Sequence, residues 1–257
     1  MQILLSAAKD QHDALPGTGT GAAAATPRFD GQAGRIAVAM AEYDVPELCA
    51  IFKCNAGIAR RNKLRFQRFL EPGGRMPAAL AYNGIAYKCL DARNFSGADR
   101  DYAQRHLFIT SFFYGLLRPF DAIKPYRMEG GVRLPAFGHK PVRDVWKPLL
   151  TDCLIDAVRA DDGRLLNVAS QEMKGLFDWQ RVQRAVEIVE PRFVVNKQGK
   201  YKTLVVYAKM CRGRMARFAI QHRLATFDGL QAFDFEGFRH HAALSRPDAP
   251  VFANEPS

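Results

Sequence analysis

Two apolar runs end in a hydroxyl with a charged group close behind, a pattern that can move protons or form a covalent bond. The run Gln2-Ile-Leu-Leu-Ser6 ends in a serine, and Lys9 follows three residues on. A Ser-x-x-Lys spacing can pair a nucleophile with a basic partner. It equally suits a serine that caps a turn beside a solvated lysine. The run Leu165-Leu-Asn-Val-Ala-Ser170 also ends in a serine, with Glu172 just beyond. Glu172 with Lys174 or Lys209 could act as acid and base, or form an ordinary ion pair. Ser6, Lys9, Ser170 and Glu172 are therefore the candidates for catalysis. Both serines close a run that reads as a strand, and strand ends are where α/β folds place ligands.

The second chemistry is anion binding. Residues 53–70 hold six basic side chains and no acid, and residues 191–223 hold nine and no acid. An ordinary solvated surface mixes signs, and a phosphate backbone is the natural partner for so regular an excess. Within the second run, Cys211, Met215, Phe218 and His222 recur at helical spacing and predict an inward stripe. Lys209, Arg212 and Arg217 fall off that stripe, on a wall expected to share a cleft with Ser6, Lys9 and Ser170. A third basic stretch, "FFYGLLRPFDAIKPYR" at 112–127, carries Arg118, Lys124 and Arg127 among turn formers. A proline-stiffened turn there could offer backbone N–H groups to a phosphate beside Arg118. The alternative is a structural turn in which Arg118 pairs with Asp121.

These residues need elements to position them. Residues 2–6 and 165–170 predict buried strands. Helical patterns cover 32–42, 46–53, 56–70 and 78–91, the last interrupted near Asn83-Gly84. Ser96 and Asp99 form a capping-box signature opening a helix of about 18 residues that carries Tyr102, His106, Phe108, Phe112 and Phe113. A helical pair is expected over 141–160, with Pro148 at a first turn. "RFVVN" and "YKTLVVYA" flank Lys197-Gln-Gly199-Lys200 as a β-hairpin, with strand 201–208 leading into a helix over 209–224. Residues 10–31 predict a low-complexity, flexible loop and 246–257 a loose tail. The expected architecture is α+β (mixed α/β), one domain over 1–245.

Composition sets the limits. The 257 residues suffice for a sizeable core. The net charge is +11 and the pI near 9.6, which favours a polyanionic partner. The five cysteines are widely spaced and odd in number, which argues against a disulfide framework or structural zinc. The histidines have no metal-binding spacing, and no metal or cofactor is expected. No apolar run is long enough for a membrane span, and the N-terminal residues lack the features of a signal peptide. A cytoplasmic protein is expected.

Five blocks in order resemble the YaaA peroxide-stress protein family. "ILLSAAK" is similar to that family's "ILISPAK", and "YNGIAYKCLDARNFS" to its F-x-G-x-x-Y-x-G-L block. "FFYGLLRPFDAIKPYRMEGGVRL" resembles "LYGVLRPLD…PYRLEMG". "LLNVASQEMK" and "VYAKMCRGRMARF" resemble the NLAS-x-E and YAK-x-x-RG-x-M-x-RF blocks. The chain departs from these blocks at Ala7, Asp10, Cys89 and Met173. The resemblance implies a fold with a basic cleft and a helix-hairpin-helix element, which would fall at 100–127. It implies that this element binds DNA and that the protein limits iron-driven oxidative damage, and the acid-free charge run adds the expectation of duplex DNA bound without strong sequence preference. Joined with the charge pattern, it makes Tyr114, Gly115, Arg118, Lys124, Arg127, Lys209, Arg212 and Arg217 the expected DNA contacts. The alternative is an enzyme acting on a phosphate- or nucleobase-containing ligand in the same cleft, where Ser6, Lys9, Ser170, Glu172 and Lys209 could converge.

Overall fold

The first apolar run, Gln2–Ser6, forms strand β1, and both its edges are taken. It pairs in parallel with β3 (Leu107–Ser111) on one side and with β6 (Arg164–Asn167) on the other. Antiparallel β4 (Gly115–Leu117) and parallel β7 (Glu187–Val189) complete a sheet of order β4-β3-β1-β6-β7. A strand covered on both faces and both edges must be apolar almost throughout. Ile3, Leu4 and Leu5 on β1 and all five residues of β3 are buried.

The computed structural model describes residues 1–14 and 25–255. A second five-stranded sheet runs β10 (Asp234–Phe235), β11 (Phe238–His240), β12 (Val251–Asn254), β8 (Arg192–Lys197) and β9 (Lys200–Lys202). A short ladder joins β2 (Met76–Pro77) to β5 (Ala122–Ile123). Helices α1 (Asp30–Ala41), α2 (Val45–Phe52) and α3 (Ala56–Gln67) follow the first strand. Side chains cap the last two at their starts: Asp44 with Glu47 in a capping box, and Asn55 on the Ile58 N–H. The break expected near Asn83-Gly84 separates α4 (Ala78–Ala81) from α5 (Ile85–Leu90). Then come α6 (Gly97–His106), α7 (Val142–Asp161), α8 (Trp179–Ala185) and α9 (Val205–Gln221). Helix α9 packs on α5, α6, β1 and β8, so it bridges the two sheets. Its approach to α5 is close: a Cβ at Gly213 would overlap the Ala86 carbonyl oxygen.

Several expectations are corrected. The capping box at Ser96 and Asp99 is present, but the helix it opens stops at His106. The next five residues, LFITS, form the inner strand β3 instead. Ser111 Oγ then accepts the N–H groups of Phe113 and Tyr114, each at 3.0 Å, and turns the chain into β4. Gly115 takes φ +72°, and a Cβ there would stand 2.8 Å from the Trp146 ring. Residues 100–127 thus run helix, strand, turn, strand, strand, and no helix-hairpin-helix is formed there. Residues 142–161 make one helix with Pro148 inside it, not a pair. The hairpin at Lys197–Lys200 forms, but its second strand ends at Lys202 and α9 begins at Val205. Lys209 is therefore inside a helix and not at a strand end. The 246–257 stretch is not loose where described: Val251–Asn254 is β12, held between β11 and β8. Of the loop expected over 10–31, residues 15–24 lie outside the described residues. Gln11 bridges to Tyr82, Ala25 to Asp121, and Asp30 already belongs to α1.

Candidate functional site

At the C-terminal ends of β1 and β6 the surface opens into a cleft of about 470 Å³. One wall is the chain leaving β1, residues 5–11. A second is the chain leaving β6, with Val168, Ser170, Glu172 and Met173. The third comes from α5 and α9, which contribute Ile85, Ala86, Tyr87, Lys209 and Arg212. The segment Tyr126–Glu129 and Phe112 complete it. Ser6, Lys9, Ser170, Glu172, Lys209, Arg212 and Arg127, all legible in the sequence, therefore share one concavity. The ligand position beyond the strand ends is the one parallel sheets favour.

The polar contacts narrow what these groups do. Ser6 Oγ accepts the Ser170 N–H at 2.8 Å and donates to Ser170 Oγ at 3.3 Å. The Tyr87 hydroxyl donates to the Ser6 carbonyl at 2.9 Å. The two serines thus join the ends of β1 and β6. Lys9 Nζ contacts Glu129 at 2.9 Å, and Arg127 meets the same carboxylate at 3.4 Å. No nucleophile–base pair between Ser6 and Lys9 is assembled. Glu172 is exposed, and Lys174 pairs with Glu190 at 2.7 Å instead. The pairs Glu172–Lys174 and Glu172–Lys209 are not formed.

Behind the cleft lies a buried aromatic network. The Tyr126 hydroxyl is 2.6 Å from Ser111 Oγ and 2.8 Å from the Tyr82 hydroxyl. Burial pushes Tyr126 up to about 12 and holds Tyr82 and Tyr87 well above the usual phenol range. These phenols stay protonated and act as hydrogen-bonding walls. The thiols are likewise quiet: burial raises Cys54, Cys89 and Cys153, and takes Cys211 up to about 12. Among the described residues no cluster of three or more His, Cys, Asp or Glu could hold a metal ion. No helix among them is long and apolar enough to cross a membrane.

Five of the expected contacts lie elsewhere. The Arg118 guanidinium sits 3.5 Å from the centroid of the Phe108 ring and donates to Gln2 and to the Leu107 carbonyl, while its backbone N–H donates to Asp121. Lys124 is 9% exposed and its ammonium caps the end of α3 through the carbonyls of Arg68 and Glu71. The Tyr114 hydroxyl accepts the Lys124 N–H, and Gly115 packs on Trp146. Arg217, 8% exposed, pairs with Asp91 at 3.1 Å and donates to the carbonyls of Leu90 and Asp91. These side chains hold elements together.

Sequence reasoning missed two features. Glu129, the carboxylate shared by Lys9 and Arg127, lies in the quoted "PYRMEGG" block but has no spacing to set it apart. The β8–β9 hairpin displays Lys197, Lys200 and Lys202, all exposed, beside exposed Val205, Val206 and Tyr207 at the start of α9. The acid-free run already contained those lysines and could have singled them out.

Residues 1–244 match the family model described as "Peroxide stress protein YaaA". A UPF0246 protein of Bacteroides fragilis is 45% identical over 255 residues, covering 99% of this chain and 98% of its own. A UPF0246 protein of Bacteroides thetaiotaomicron is 46% identical over 230 residues, 89% of this chain and 90% of its own. One from Dinoroseobacter shibae is 39% identical over 237 residues, 91% and 88%.

Proposed function

Because the chain belongs to the peroxide stress protein YaaA family, we propose that it binds duplex DNA by its phosphate backbone and so limits oxidative damage to it. The observation that carries this reading is the acid-free run of residues 191–223, which places cations both on an exposed hairpin and at the cleft. Those cations are Lys197, Lys200 and Lys202 on the hairpin and Lys209 and Arg212 in the cleft. Lys9 and Arg127 stand on another wall, where they share the carboxylate of Glu129. Contacts to phosphates carry no sequence information, so binding is non-specific. Every cation that settles on a phosphate releases a counterion. Ferrous ions held on the backbone belong to that counterion layer, and their displacement is the physical route to protection from iron-driven damage.

The test is fluorescence anisotropy with two labelled duplexes of unrelated sequence. With several phosphate contacts, affinity falls by about a thousandfold between about 50 and 200 mM salt, and equally for both duplexes. No binding at the lower salt, or a flat response, defeats the proposal.

A further inference from the structure

Helix α9 and the turn that ends it carry four arginines, and their surroundings differ. Arg217 is paired with Asp91, and Arg223 meets Asp99 at 2.8 Å. Arg214 lies over the Phe235 ring at 5.7 Å. Arg212 lines the cleft with no carboxylate and no hydrogen-bond acceptor among the described residues. It is nonetheless withdrawn from water: burial alone lowers its pKa, and no acid opposes that effect. A half-buried guanidinium without a counter-charge is costly unless an anion completes it. Lys209, on the same helix face and also without a partner among the described residues, adds a second positive charge at the cleft.

The rest of the cleft argues against a bare inorganic anion. Its volume of about 470 Å³ is that of a small-molecule pocket. Ile85, more than a third exposed, and the edges of the otherwise buried Phe112, Tyr87 and Met173 offer apolar surface. Asp10, Glu172 and Glu129, the last already shared by Lys9 and Arg127, offer carboxylates, which repel phosphate but accept hydrogen bonds from ring N–H and amino groups. An anionic end, a flat apolar body and hydrogen-bond donors at its edge together describe a nucleotide.

We infer that the cleft is a binding pocket for a single nucleotide, its phosphate taken by Arg212 and Lys209 and its base received between the aromatic and carboxylate walls. The choice of nucleotide over other flat anions rests on the DNA reading above; the anion site rests on Arg212 and Lys209. The nucleotide is either free or turned out of a bound DNA strand, and both present the same groups to the pocket.

Calorimetric titration of the full chain with deoxynucleoside monophosphates, the matching nucleosides and inorganic phosphate tests the inference. At least one monophosphate is expected to bind tenfold or more tightly than its nucleoside and than phosphate. Arg212→Gln is expected to weaken it at least tenfold. Lys209→Gln, at an exposed position that leaves the fold intact, is expected to weaken it severalfold. Failure of every monophosphate to bind, affinity no better than that of phosphate, or indifference to both substitutions overturns the inference. A duplex carrying 2-aminopurine in a mismatch identifies the source. A change in emission on binding marks a base leaving the stack, and unchanged emission with mononucleotide binding intact assigns the pocket to free nucleotide. Mononucleotide binding without duplex binding would sink the DNA reading and leave this pocket standing.

Discussion

Arg118 and Arg212 are both guanidiniums drawn out of water, yet their chemistry diverges with what surrounds them. Arg118 is enclosed by Phe108, Gln2 and the Leu107 carbonyl, and burial lowers its pKa to about 10. Arg118→Ala is expected to lower stability by about 3 kcal/mol in chemical denaturation, with the salt slope of DNA binding unchanged. Its neighbour Asp121 is buried enough that its carboxyl rises to about 6 from 3.8. The native state then keeps a proton that the unfolded chain has released between those values. This carboxyl's contribution is therefore most favourable below about pH 4 and declines as pH rises towards about 6. Relative to Asp121→Asn, which cannot titrate, the wild type should lose about 2 kcal/mol over that interval, read from urea melts at successive pH values. The contrast also marks what is legible in sequence. Ser6, Lys9, Ser170, Glu172, Lys209, Arg127 and Arg212 stand out there by type and spacing, and they do line one cleft. Arg118, Lys124 and Arg217 are not separable from them, because their acceptors are mostly backbone carbonyls, which a sequence does not display.

Element boundaries follow the same logic. The capping box at Ser96 is a local signal, and the helix start it predicts is present; Asp44 and Asn55 cap α2 and α3 in the same way. Leu107–Ser111 is an apolar run whose neighbours on β1 lie about a hundred residues away, so periodicity alone could not tell strand from buried helix. The β-branched residues Val205 and Val206 favour a strand, yet they form the exposed first turn of α9, whose body packs against α5. That packing is tight at Gly213. Gly213→Ala, with its new methyl driven into the Ala86 carbonyl, is expected to cost about 3 kcal/mol or more in denaturant unfolding. It should also weaken nucleotide binding, since α5 and α9 both wall the cleft. Truncation after Ser245 removes β12 from between β11 and β8. The expected result is loss of the cooperative thermal transition, followed by near-UV circular dichroism.

Across the whole molecule, the positive charge is divided between joints and surface. Arg75, Arg217 and Arg223 are joined to Asp30, Asp91 and Asp99, whereas Lys197, Lys200, Lys202, Lys209 and Arg212 face outward or into the cleft. Replacing the three hairpin lysines with glutamine should reduce the log–log salt slope of DNA binding by about 0.9 for each phosphate left unneutralised. Far-ultraviolet circular dichroism should be unchanged, because these side chains are exposed. The order of strands has a further consequence for how the protein is made. Strand β1 leaves the ribosome first, yet its partners β3 and β6 follow only after long intervening stretches. The second sheet waits longer still, because β12 must slot beside β8 and cannot do so until translation has passed Asn254. Helix α9 bridges both sheets, so the nascent chain has no finished cleft. A half-synthesised copy would display apolar strand edges without the surface proposed to hold nucleic acid. Its maturation is therefore paced by elongation of the chain.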